Sequence, residues 1–244
     1  MSADGWKQHW NIWERAAQHV NERLVDLARI RPGHRVLDVA TDLSPAMLFL
    51  ARQEAARLGL HNIEFREMDA EEPDLPAQSF DAALCRWALM FLPHLVVALT
   101  RLRELLAPRG RFAAAVWANP ENVPFTSVPM GAIRRVLHIA PPPAGTPGTF
   151  SLANEEVLQR AFAQAGFTEV AIERHILILE YSSLDEFVEE RPATSASIRS
   201  MLAGASPAQL ETIWQIVSEE IGKYRQPSGA LRIPNETLCV AGHA

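Results

Sequence analysis

No glycine falls between residues 34 and 58, and no two of the chain's twelve glycines form a GxG. Every turn in that stretch carries Cβ atoms, which excludes the close backbone approach that only glycine permits. Cysteine is almost absent. Cys85 and Cys239 allow one disulfide at most and exclude a cysteine zinc cluster; two reduced thiols in an intracellular protein are expected. No HExxH or His-carboxylate helix pair occurs, so no metal site is expected. Net charge is −6 without a Lys/Arg-rich block, which advertises no nucleic-acid partner. No stretch approaches the about 18 apolar residues of a membrane span. The opening MSADGWKQHWNIW has no apolar signal core, so a soluble cytoplasmic protein without a membrane partner is expected. A GxSxG nucleophile elbow and an internal repeat are also missing.

What is present builds a core. Hydrophobic residues make up 48% of 244 residues, enough for one large α/β domain or two small ones. Residues 5–30 read as helix, in two pieces joined near Gln18, ended by Arg31-Pro32-Gly33. Trp6, Trp10 and Trp13 fall on one helical face, which serves either as a core stripe or as a lid over a flat ligand. Residues 35–40 read as a strand. Residues 44–58 read as a helix with Ser44 as N-cap, Pro45 first and Gly59 as its stop. Residues 62–67 alternate as a strand, and 80–85 and 111–117 are apolar runs suited to buried parallel strands. Helices are predicted at 92–107, 122–139, 154–165, 184–202 and 207–224, and further strands at 168–181 and 236–242. Strand and helix alternate four times up to residue 117, which argues for a parallel sheet with helices on both faces.

Within this order, RVLDVATDLSPAML (35–48) places two acidic strand tips back to back with only Thr41 between them. Together with IEFREMDAEEPDLPAQSFDAALCRWALMF, LRELLAPRGRFAAAVW, AFAQAGFTEV and ETLCVAGHA, it resembles the class I S-adenosylmethionine-dependent methyltransferases. The likeness is to the ubiquinone/menaquinone-biosynthesis branch and its small-molecule relatives. The resemblance implies a doubly wound Rossmann-like sheet and S-adenosylmethionine as cofactor. It places Asp38 near the methionine end of the cofactor, Asp42 at the ribose hydroxyls and Asp69-Ala70 at the adenine. Cys85, Arg86 and Trp87 fall where cofactor and acceptor meet. A carboxylate is an acceptor-only group that suits donor hydroxyls and amines. For Asp42 the alternative is a plain helix N-cap. Arg86 and His94, the latter in FLPH, are the candidate catalytic residues, His94 as base for a hydroxyl acceptor; a structural role is the alternative for His94.

The chain departs from this family at one place. The glycine-rich turn, the first helix and the second strand are missing, about 30 residues of one βαβ unit. VAT on both sides of the gap is consistent with an excision between short repeats. The family order 3-2-1-4-5-7-6 then predicts a six-stranded sheet, 3-1-4-5-7-6, in which 62–67 pairs with 35–40. A single domain over 1–244 is expected, with 1–30 as N-terminal helical cover and 122–165 and 184–226 as a helical cap over the acceptor. The excision is expected to uncover apolar surface on helix 44–58, which a second protomer would cover as a homodimer. The function implied is methyl transfer to a small molecule. The alternatives are a binding or scaffold protein that no longer methylates, and a different enzyme such as a hydrolase using Asp38, Asp42 or Asp69 with His94.

Overall fold

The computed structural model describes residues 3–39, 45–143 and 145–244, with residues 3–11, 45–47 and 50 described in backbone only. In chain order it runs α1 (Ala3–Leu27), β1 (Val36–Asp38), α2 (Pro45–Arg57), β2 (Phe80–Arg86), α3 (Leu95–Leu105), β3 (Leu106–Trp117), α4 (Pro124–Leu137), α5 (Glu155–Gln164), β4 (Thr168–Tyr181), α6 (Leu184–Thr194), α7 (Ala196–Leu202), α8 (Pro207–Ile221) and β5 (Leu231–His243).

The helix α1 is continuous, not two pieces joined near Gln18. Ile12, Trp13, Ala17, Val20 and Leu24 are all buried at helical spacing, so the stripe stays in phase through Gln18 and nothing there breaks it. The side chains of Trp6 and Trp10 lie outside the described residues. So do Asp42 and the proposed N-cap Ser44, although α2 does begin on Pro45. Polar caps set most later helix starts. Asn154 accepts from Glu156 and Val157 N–H at α5, Ser183 starts α6, and Ser206 with Gln209 forms a capping box on α8. The predicted helix 184–202 splits because Ser195 turns extended and caps α7 with its own hydroxyl.

The sheet has five strands in the order β1-β2-β3-β5-β4. β1 pairs parallel with β2, Asp38 lying abreast of Leu84. β2 pairs parallel with β3, from Ala82 abreast of Arg111 to Arg86 abreast of Ala115. Ahead of that register, residues 107–110 bulge. As β3 advances, Gly110 O accepts from Ala244 N and Glu236 O from Ala118 N. The partners recede along β5 while β3 advances, so β5 runs antiparallel to it. In family numbering these five strands stand as 1-4-5-7-6.

The sixth strand is not there, and this corrects the predicted order. Residues 62–67 adopt no strand. β1 is only three residues long and offers few ladder bonds to offset the entropy of ordering a parallel partner. The segment is engaged elsewhere. Arg52 on α2 donates to the Phe65 carbonyl at 3.1 Å, its guanidinium lies 5.8 Å from the Phe65 ring centroid, and Arg66 pairs with Glu64 at 2.6 Å.

Two compact units divide the chain. One comprises Asn21–Trp117, Pro147–Arg174 and Leu238–Ala244. Its core is the run Phe112–Val116, fully buried, with Phe112, Phe162 and Phe167 clustered at centroid distances of 5.3–5.8 Å. The other comprises Met1–Val20, Ala118–Thr146 and His175–Thr237. Its interior holds a charged pair, Glu190 and Arg191, both buried. Arg191 Nε and Nη2 donate to the two Glu190 oxygens at 2.6 and 2.7 Å. Trp13 Nε1, Tyr181 OH and Thr194 Oγ1 donate to the same carboxylate. The Arg191 guanidinium is boxed by the rings of Trp13, Phe125 and Phe187. Burial alone would raise Glu190, but these donors hold its carboxyl below the ordinary value.

Candidate functional site

The carboxyl ends of β1, β2 and β3 fall in one unit and bring together four of the predicted site residues, Asp38, Cys85, Arg86 and Trp87. Ligands of open α/β sheets bind at such ends. Asp38 ends β1. Its side chain is exposed, and the water displaced by the protein beside it raises its carboxyl above the ordinary value, against the pull of Arg86. Arg86 ends β2, half-buried. Its Nη1 donates to Asn21 Oδ1 at 2.6 Å and its guanidinium carbon lies 5.1 Å from the Trp87 ring centroid. Burial lowers the Arg86 pKa and Asp38 raises it, and a guanidinium stays charged under either influence.

Trp87 takes φ of +54°, a left-handed conformation rare for a bulky residue. Its N–H donates to Ala115 O at 2.8 Å and its ring stacks on Trp117, centroids 4.4 Å apart and planes 10° apart. Cys85 is fully buried and its thiol is pushed up to about 12, mainly by burial. Its side chain belongs to the core, so only its backbone borders the strand end.

Asp69 and Ala70 sit in an irregular segment. One Asp69 oxygen accepts from Glu71 N at 2.8 Å, the pattern of an Asx turn. Glu71 in turn accepts from His94 N at 2.8 Å. His94 lies at the start of α3 with an exposed side chain that makes no cap bond. One chain of bonds thus links Asp69, Glu71 and His94. Asn21, Glu71 and Trp117 were missed from the sequence. For Trp117 a signal existed, since one buried strand is followed at once by Trp87 and the next ends in Trp117; Asn21 had none. Among the described residues no group of three or more His, Cys, Asp or Glu could hold a metal ion, and no helix is long and apolar enough to cross a membrane.

These strand ends coincide with a family match. Residues 24–114 match the methyltransferase domain family, from the last turn of α1 into β3. A curated relative, aklanonic acid methyltransferase DauC of Streptomyces sp. (strain C5), is 35% identical over 116 residues, covering 38% of this chain and 53% of its own length. The ubiquinone/menaquinone biosynthesis C-methyltransferase UbiE of Pseudomonas savastanoi pv. phaseolicola is 27% identical over 134 residues, covering 46% and 50%. The matched part of the chain thus spans about half the length of these relatives. A solved structure from Bacillus halodurans C-125, assigned to the methyltransferases, matches in fold with a TM-score of 0.58. It is 15% identical, and the match covers 91% of this chain and 97% of that one. The matched stretch contains Asp38, Asp69, Ala70, Cys85, Arg86, Trp87 and His94, and excludes Trp117, the partner in the tryptophan stack.

Proposed function

We propose that the chain is a methyltransferase that uses S-adenosylmethionine on a small-molecule acceptor, with the ends of β1 and β2 as the cofactor's seat. One observation carries this reading. Asp38 and Arg86 stand on adjacent parallel strand tips as opposite charges that act on one another, and no direct ion pair joins them among the described residues. An ammonium suits Asp38 and a carboxylate suits the donor fork of Arg86, which Asn21 holds by one nitrogen only. The methionine end of the cofactor has both groups, so the residues present fit it.

When bound, the cofactor supplies an electrophilic methyl group on a sulfonium. The protein's part is positioning and exclusion of water. Asn21 and the Trp87 ring fix the Arg86 guanidinium, and Trp117 fixes the Trp87 ring. The indole faces favour a cationic group nearby. Asp69 with Ala70 takes the adenine side, and Asp42 the ribose. His94 takes the acceptor's proton where the acceptor is a hydroxyl. The relatives named for aklanonic acid and for ubiquinone and menaquinone biosynthesis support an acceptor of small-molecule size.

Residues 34–58 contain no glycine, which favours a second reading, a binding protein that keeps the fold without the reaction. Losing two or three backbone bonds at about 1 kcal/mol or more each weakens cofactor binding tens- to thousands-fold. Calorimetry with S-adenosylmethionine decides between them. The expected result is saturable heat, with Kd raised about tenfold or more in Arg86→Met and in Asp38→Asn. No heat at millimolar cofactor overturns the methyltransferase reading and leaves the second.

A further inference from the structure

β4 closes one end of the sheet order, and its fourteen residues, TEVAIERHILILEY, contain no proline, glycine or lysine. Proline and lysine are two of the devices that blunt an edge strand against pairing with another chain, and the charges this strand does carry are placed so that a second copy can match them. Its side chains alternate. Leu177, Leu179 and Tyr181 are buried, while Arg174, Ile176, Ile178 and Glu180 face outward. Ile176 is 65% exposed and Ile178 is 38% exposed.

The outward set has a symmetry of its own. About Leu177 it reads cation, isoleucine, isoleucine, anion. Antiparallel pairing with a second β4 centred on Leu177 sets Arg174 opposite Glu180 of the other copy and Ile176 opposite Ile178, each pair formed twice. A shift by one residue turns these side chains to opposite faces and loses every pair. Within one chain the charged ends already have partners, Glu155 for Arg174 at 2.6 Å and Arg232 for Glu180 at 2.8 Å. All four side chains are 40–54% exposed, and exposed pairs of this kind contribute little and exchange readily.

From this self-complementarity we propose that two copies of the chain associate through β4, edge to edge and antiparallel, across a two-fold axis at Leu177. Such an interface is isologous, so every favourable contact occurs twice. The apolar surface on α2 is the weaker alternative. Phe49 is exposed on α2 and Leu58 just past its end, so they form no continuous apolar stripe on the helix.

Sedimentation equilibrium at micromolar concentration tests the proposal. The full chain sediments as a dimer. The double variant Ile176→Glu/Ile178→Glu sediments as a monomer with an unchanged circular dichroism spectrum. Glu180→Arg alone weakens the dimer at least tenfold, and adding Arg174→Glu to the same chain restores it. Restoration by the charge swap reads register, which a folding defect does not reproduce. Mixing Ile176→Cys chains with Ile178→Cys chains under mild oxidation gives cross-linked pairs. A wild-type chain that stays monomeric, a double variant that stays dimeric, or a charge swap that restores nothing overturns the proposal.

Discussion

Trp117 closes β3 under the indole of Trp87, ring centroids 4.4 Å apart, and Trp87 holds this stack with a left-handed backbone, φ +54°. Local conformation and long-range packing oppose one another here, and packing wins. Trp117 is buried, so Trp117→Ala is expected to cost about 3–5 kcal/mol in urea unfolding. Trp87→Gly costs less, because the ring is half-buried and glycine relieves about 1–2 kcal/mol of left-handed strain. Equal losses in the two variants would show that the stack does not constrain Trp87.

The Asn21–Arg86 bond gives a graded test of cofactor positioning. Asn21→Ala removes one bond to the guanidinium and leaves its charge. A single hydrogen bond of about 1 kcal/mol predicts a roughly fivefold rise in the Kd for S-adenosylmethionine, smaller than that of Arg86→Met. An Asn21→Ala effect as large as that of Arg86→Met would mean that Asn21 itself touches the ligand.

Breaking the Glu190–Arg191 pair leaves one buried charge without its partner. Arg191→Met and Glu190→Leu are each expected to cost about 3–5 kcal/mol, and the double variant less than their sum. Denaturant unfolding of the four chains of this cycle measures the coupling. Additive costs would mean that the two groups do not act as a pair.

Acid should act on the same pair. The folded Glu190 carboxyl titrates below its ordinary value of 4.5. Its contribution to stability is therefore complete above the unfolded value and is lost as pH falls through the folded one. Melting temperature recorded downward from pH 6 should fall below about pH 4.5, and Glu190→Gln, less stable at neutral pH, should show a shallower fall. Parallel curves for the two chains would exclude Glu190 as the cause.

Both thiols should be silent in the native chain. Cys85 and Cys239 are buried and each is pushed up to about 12, chiefly by burial. A thiol reagent at pH 8 should label neither natively and both in guanidinium. Rapid native labelling of Cys85 would mean that the end of β2 opens far more readily than its burial implies.

Much of this architecture was legible in the sequence. The apolar runs at 80–85 and 111–117, the long strand at 168–181 and the helices expected from residues 154, 184 and 207 follow from local pattern, while the caps that start those helices, Asn154, Ser183 and Ser206, came from the structure. Asp38, Arg86 and Trp87 were legible as strand ends, which are the places where such sheets bind ligands. Periodicity tells which face of an element is apolar. It does not tell which partner will cover that face, because the partner is distant in the chain. Residues 62–67 have the alternation of a strand, but the three-residue β1 offers too short an edge, and Arg52 claims the segment instead. Asn21 reaches Arg86 across 65 residues, and Trp117 reaches Trp87 because parallel register sets Arg86 beside Ala115. Those contacts exist only once the sheet has formed, since each depends on the position of a neighbouring strand or helix and not on the residues beside it in the chain.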